Sequence, residues 1–187
     1  MSLWRNMASV GNQVLLIDAD IRNSEMRERY GFSSESGLVG IEHLLSGKVE
    51  INDVIYSTDV PNGYILPVST NVIDPTILLE SDNFREMLEI CKGNFDYVII
   101  DTPPLGSVAD SLNIAKYCDG SILVIGSSLT PRKAVKDVIT SLKRTDTPLL
   151  GVVLNRVDTS RKSSGYGYYY RYGAYGQYGQ YGKAKKQ

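Results

Sequence analysis

The sequence predicts an α/β fold, a doubly wound and mainly parallel sheet, on three observations. Short apolar runs predict strands: Val14-Leu15-Leu16-Ile17 and Tyr97-Val98-Ile99-Ile100 read as strands buried in a parallel sheet, and Ser121 to Ile125 and Leu149 to Leu154 as two further strands. Stretches with helical spacing of apolar residues lie between them, and strands alternating with helices specify parallel pairing. Two of the runs end abruptly in carboxylates, at Asp18-Ala19-Asp20 and at Asp101. In open α/β sheets the carboxyl edge is where ligands bind.

The elements follow in order. Asn6 to Val10 reads as the last turn of a helix closed by Gly11, before the first strand. Alternate residues of an extended chain share a face, so Asp18, Asp20 and Arg22 are expected to leave that strand together. Ser24 is placed to cap a short helix through Tyr30. Leu38, Ile41, Leu44 and Leu45 predict a helix ending at Gly47, and Pro61-Asn62-Gly63 a turn between strands at Val54–Tyr56 and Tyr64–Val68. Phe84, Met87, Leu88 and Cys91 form an i, i+3, i+4, i+7 stripe, opened by Ser81 or Asp82 and closed by Gly93. Pro103-Pro104 forces a loop after the second carboxylate-ending strand. Helices are expected around Ala109 to Tyr117 and over Val135, Val138, Ile139 and Leu142, the latter opened by Thr130-Pro131.

A chain of 187 residues suffices for one core-bearing domain, and no apolar run is long enough to cross a bilayer. Cys91 and Cys118 lack metal-ligand spacing and read as reduced core residues; His43 reads as surface or packing. The net charge of −1 conceals an asymmetry. Six of the 20 basic residues (Arg161, Lys162, Arg171, Lys183, Lys185 and Lys186) and none of the 21 acidic ones lie from Arg161 onward, leaving a body of net −7. An acidic body with a basic tail argues against a nucleic-acid binder. The expected organisation is a domain over 1–159 and a disordered tail over 160–187, where glycine is too dense for a packed core.

The chemistry suggested is that of a nucleotide triphosphatase. Magnesium keeps most of its waters and needs one or two protein carboxylates beside the phosphates. Asp18, Asp20 and Asp101 offer a metal ligand and a separate base, and Asn155-Arg156-Val157-Asp158 at the end of the last strand offers an amide and a carboxylate to a purine edge.

On these residues the chain resembles the bacterial tyrosine kinases of capsule and exopolysaccharide synthesis, relatives of the deviant-Walker, P-loop NTPase-like partitioning ATPases. Leu15 to Arg22 looks like the family's Walker A′ motif and Tyr97 to Pro104 like its Walker B. The tyrosine-rich end (Tyr166, Tyr168, Tyr169, Tyr170, Tyr172, Tyr175, Tyr178 and Tyr181) is the most specific likeness, since the partitioning relatives lack it. The resemblance implies ATP and Mg2+ as cofactors, Asp18 as base on the acceptor tyrosine hydroxyl, and Asp20 and Asp101 serving magnesium. It further implies that Asn155 and Arg156 lie at adenine, and that the tail tyrosines are the acceptors. Phosphorylating them all would add roughly −12 to −16 and reverse the tail's charge. A cytoplasmic protein recruited to the membrane by an adaptor of the polysaccharide export machinery is implied, with homo-oligomerisation, no nucleic acid and no membrane insertion of its own.

One departure stands out. No G-x-x-x-x-G-K-[ST] phosphate loop occurs; Gly47-Lys48 is followed by Val49, and Gly182-Lys183 by Ala184. The expectations are an N-terminally truncated domain whose sheet has a gap or an exposed edge, and a chain with little kinase activity alone. The alternatives are a non-catalytic phospho-acceptor subunit of an intact kinase, and a partitioning-type ATPase.

Overall fold

The computed structural model describes residues 3–26, 37–105 and 109–158. The expected helix through Tyr30 and the tyrosine-rich tail therefore lie outside the described residues for the most part.

Among the described residues six strands form two sheets. β1 (Val14–Asp18), β2 (Tyr56–Ser57), β3 (Gly63–Leu66) and β4 (Tyr97–Asp101) make a four-stranded sheet in the order β2-β3-β1-β4, while β5 (Ser121–Gly126) and β6 (Leu149–Asn155) pair separately. Only β2 runs antiparallel, joined to β3 through the turn at Asn62, whose φ is 61°. β1 is central, in parallel register with β3 (Val14 opposite Gly63) and with β4 (Asp18 opposite Asp101). All five of its residues are buried.

The pleat divides the core. Leu15 and Ile17 face one side, with Leu66, Val98 and Ile100 alongside them. The helix Asp82–Asn94 covers that side through Phe84, Met87, Leu88 and Cys91, the stripe predicted from sequence. Ser81 caps it, accepting from the Phe84 N–H at 3.3 Å. The helix runs through Gly93 to Asn94, one residue past its predicted close. On the other face Val14, Leu16 and Ile65 meet Trp4 and Ala8 of the helix Leu3–Ser9. That helix stops as predicted, with Gly11 at φ 100° donating to the Ala8 carbonyl at 3.0 Å.

Other boundaries shift for local reasons. The helix over Leu38–Leu45 begins only at Ile41, because Gly40 is extended and packed tightly: a Cβ there would lie 2.8 Å from the Pro67 carbonyl oxygen and against the Ser69 amide. Pro131, expected in the first turn of its helix, is instead the extended residue before Arg132–Leu142.

The main correction concerns β4. Its run predicted a strand buried on both faces; instead Tyr97 is 47% exposed and Val98, Ile99 and Ile100 are only partly covered. β5 and β6 are barer still, with Val124 60% and Leu150 68% exposed. Of the apolar residues in Arg132–Leu142 only Leu142 is buried. β1 escapes because it has a strand on each side and a helix on each face; β4 and β5 each have one strand partner. The expected gap is thus the break between the two sheets.

The cysteines behave as read. Both are free thiols, and burial pushes Cys91 up to about 11 and Cys118 above the ordinary thiol range, which keeps them inert.

Candidate functional site

The carboxyl ends of β1 and β4 bring Asp18, Asp20 and Asp101 together. Asp18 and Asp101 are register partners, and the next amide, that of Ala19, donates to the Asp101 carbonyl at 2.8 Å. Asp18 is 1% exposed, one of few buried charges. One of its oxygens accepts from the Asp20 N–H at 3.1 Å and the other from the Ser24 hydroxyl in a short hydrogen bond. Burial nevertheless dominates, raising its pKa from 3.8 to about 6; the Ser24 and Asp20 hydrogen bonds pull it back, and the Asp101 and Asp20 charges push it up. Asp101 is exposed, and Asp20 is half-buried and accepts from the Asn23 N–H at 3.1 Å. The turn after β1 thus folds back on its own aspartates.

Arg22 does not leave the strand with them, as alternation suggested. Its Nε donates to Asp110 Oδ2 at 2.6 Å and its Nη1 to the Ile73 carbonyl at 2.8 Å, and Thr76 and Asp74 lie within 3.4 Å of Nη2. The reason is turn geometry: Ile21 and Arg22 are in a turn, so period-two alternation ends at Asp18. The Asp110 carboxylate, 2% exposed, holds the guanidinium firmly charged. Arg22 therefore ties the aspartate turn to the loop at Asp74 and the helix Asp110–Ala115.

Asn155 closes β6 in the other sheet. Its side-chain oxygen accepts from the Arg156 N–H at 2.8 Å, and both residues are exposed, with Arg156 at φ 56°. The structure brings three aspartates to one strand edge and places Asn155 and Arg156 at the end of a strand in a separate sheet. The eight tail tyrosines lie outside the described residues.

Among the described residues no three of His, Cys, Asp and Glu are clustered to hold a metal by themselves. Nor is any helix among them long and apolar enough to cross a membrane. A cavity of about 460 Å³, lined by Gln13, Ile51, Tyr64 and Phe95, opens at the amino ends of the strands, away from the aspartates. Sequence reasoning missed Ser24 as a partner of Asp18, Asp110 as the partner of Arg22, and the buried Glu42. Glu42 accepts from the Ser69 amide at 3.2 Å, the Thr70 amide at 2.7 Å and the Ser69 hydroxyl. His43 approaches both Glu42 and Ser69 through the same Nδ1, at 3.1 and 3.3 Å. A relay needs the two ring nitrogens to serve different partners, so this cluster pins a loop and is not a triad.

A family model described as an AAA domain matches residues 1–147. Tyrosine-protein kinase CpsD of Streptococcus agalactiae is 38% identical over 172 residues, 92% of this chain and 73% of that protein. CpsD of Streptococcus pneumoniae is 36% identical over 174 residues, 92% and 76% of the two chains. Among solved structures, the VpsO kinase domain superposes with a TM-score of 0.77 at 32% identity, covering 83% of this chain and 75% of that one. The kinase domain of Escherichia coli tyrosine kinase ETK gives 0.79 at 28% identity, covering 87% and 63%. The septum site-determining protein MinD of Pyrococcus horikoshii, complexed with Mg-ADP, shares the fold with a TM-score of 0.69 at 24% identity.

Proposed function

The chain belongs to the bacterial tyrosine-protein kinase family of capsule and exopolysaccharide synthesis, and from that membership we propose that it carries the carboxylate half of a kinase site. The observation that carries the proposal is the buried Asp18, with its raised pKa, beside Asp20 and Asp101 at one strand edge.

Two carboxylates beside a base fit magnesium, and Asp20 and Asp101 are the residues that would hold it. Magnesium bound there would offset charge on the phosphates. The phosphate side does not fit: the sequence has no glycine-rich loop with its lysine, and Arg22, the nearest cation along the chain, is engaged by Asp110. Asp18 is the base. A tyrosine hydroxyl has a pKa of about 10, and a carboxylate near 6 accepts its proton more readily than an ordinary one. The approaching hydroxyl would displace that of Ser24. Asn155 and Arg156 would meet the purine once their sheet is joined to the first.

On this reading the chain is a domain over 1–159 with an acceptor tail over 160–187. It has little kinase activity alone, and its tail tyrosines are phosphorylated in trans. As the likeness to the capsule kinases suggests, it would work on the cytoplasmic side beside a membrane adaptor. Incubation with labelled ATP, with and without the intact Streptococcus agalactiae kinase, followed by phosphotyrosine mapping, tests this. Label is expected on Tyr166 to Tyr181 only when the intact kinase is present. Strong labelling of the chain alone contradicts the reading of weak activity, and no label in trans contradicts the acceptor role.

A further inference from the structure

The net charge of −1 hides a strongly bipolar chain. Residues 1–120 hold 8 basic and 18 acidic residues, a net −10, whereas residues 121–187 hold 12 and 3, a net +9. Five of those cations gather on one helix. At about 3.6 residues per turn, Arg132, Lys133 and Lys136 of the helix Arg132–Leu142 fall within an arc of roughly 100°. Lys143 and Arg144 carry that side on into the 3-10 turn Lys143–Thr145. All five are exposed, and the ion pairs of the described residues lie elsewhere, at Arg5, Arg22, His43, Arg85 and Lys92. One acid of the same helix, Asp137, stands at the edge of the cationic side.

Folding does not require this arrangement. The first turn of a helix favours acids, and this one has none there; it begins on two cations, with no side chain capping its amides. Val135, Val138, Ile139 and Leu142 take up the inward side and are partly or fully covered, so the cations add nothing to the core. Nor does the cationic side suit a protein partner. Interface centres rest on aromatic anchors and are depleted in lysine, whereas three of these five residues are lysines. The one other side chain within the arc from Arg132 to Lys133 is the polar Thr140. An open cavity of about 250 Å³, lined by Ala134, Asp137, Val138 and Ser141, lies on a different flank of the helix. The cations therefore stand on its convex, outward side.

We propose that the cationic side of the helix Arg132–Leu142, together with the basic segment after Asp158, lies on a surface of anionic lipid headgroups. A plane of headgroup phosphates meets cations spread along roughly 18 Å of helix all at once, which a single bound phosphate cannot do. It also lets a bipolar chain turn its −10 part toward water. A polynucleotide, free to fold over the chain, would meet that acidic part as well. The segment after Asp158 leaves from the same end of the fold. The Ser127 N–H, a few residues before the helix begins, donates to the carbonyl of Asn155 at 2.8 Å. That segment adds six cations, no acid and eight tyrosines, whose rings suit the headgroup level. The contact is with the surface, since no helix among the described residues is long and apolar enough to span a membrane.

The test is sedimentation of the full chain with lipid vesicles, which needs neither nucleotide nor kinase activity and so stands apart from the kinase reading. Binding is expected to phosphatidylcholine vesicles containing about one-third phosphatidylglycerol, and not to phosphatidylcholine alone. It should weaken by about tenfold or more on raising salt to about 0.5 M. Each cation near such a surface contributes roughly fivefold, so Arg132→Glu, Lys133→Glu and Lys136→Glu together should weaken binding by about 100-fold or more. Arg5→Glu, Lys48→Glu and Lys116→Glu change the net charge equally at exposed positions of the acidic part, and should weaken it by less than about fivefold. Circular dichroism checks the folding of both variants. The milder Lys136→Gln, expected to lose about fivefold, reads the same contact if the triple change disturbs the fold. Equal loss in the two triple variants, equal binding to both kinds of vesicle, indifference to salt, or no binding overturns the proposal. So does tighter binding to a single-stranded DNA oligonucleotide than to the vesicles at equal phosphate, or self-association of the parent that the helix variant loses. The occupant would then be a nucleic acid or a second copy.

Discussion

Asp18→Asn is expected to make the protein more stable at neutral pH and to remove its capacity for proton transfer. Asp18 binds its proton more tightly folded, at about 6, than at its ordinary 3.8. A raised carboxylate contributes stability at low pH that is lost as pH climbs from about 4 through 6. The shift of about two units corresponds to roughly 3 kcal/mol of strain at pH 7.5. Asparagine carries no charge to desolvate, keeps an oxygen for the Asp20 N–H, and offers its amide to the Ser24 hydroxyl oxygen. Urea denaturation should show the variant more stable by about 2–3 kcal/mol at pH 7.5, with the advantage vanishing near pH 4. Made at the matching aspartate of the intact Streptococcus agalactiae kinase, the same change should lower transfer to tyrosine by about 100-fold or more. A variant less stable at neutral pH, or one keeping the parent's pH profile, shows that burial does not set the state of Asp18. Such tension between stability and activity is expected where a charge is buried for use.

Trp4→Ala should cost about 3–5 kcal/mol. The indole is 2% exposed on the second face of the sheet, with Val14, Leu16 and Ile65, and its Nε1 donates to the Tyr64 carbonyl at 3.1 Å. The ring also fills the space above Gly63, where a Cβ would lie 2.9 Å from it. Helix Leu3–Ser9 supplies both Trp4 and Ala8 to that face, so a cavity there is hard to close. Trp4→Phe retains most of the apolar contact and loses only the hydrogen bond, for about 1 kcal/mol. Denaturation followed by circular dichroism separates the two; equal losses would place the stabilisation in the hydrogen bond rather than the packing.

Local physics explains how much of this was legible in the sequence. Periodicity found the stripe of Asp82–Asn94 because it reflects one helix face against one sheet. β1 was readable as a fully buried strand, and the motifs at its end and that of β4 gave Asp18, Asp20 and Asp101. The same reasoning overstated the burial of β4, because an apolar run reports what a strand is suited to, whereas its burial depends on neighbours. Arg22 was misdirected for a related reason: Asp110 lies 88 positions away, and nothing local marks the pair. Ser24 was read as a cap, and it does accept from the Met26 N–H at 3.2 Å, but its hydroxyl proton goes to Asp18. Side chains with two partners show only one of them to a local pattern.

The central claim is that the aspartates at the carboxyl ends of β1 and β4 are the carboxylate half of a nucleotide site, and that this chain carries no glycine-rich loop to hold the phosphates. Titration of MgATP into the chain by calorimetry tests it most directly. The account predicts no saturable binding tighter than roughly 1 mM for the chain alone. Micromolar binding that is lost in Asp101→Ala would contradict it, because the residues present would then suffice to hold the phosphates.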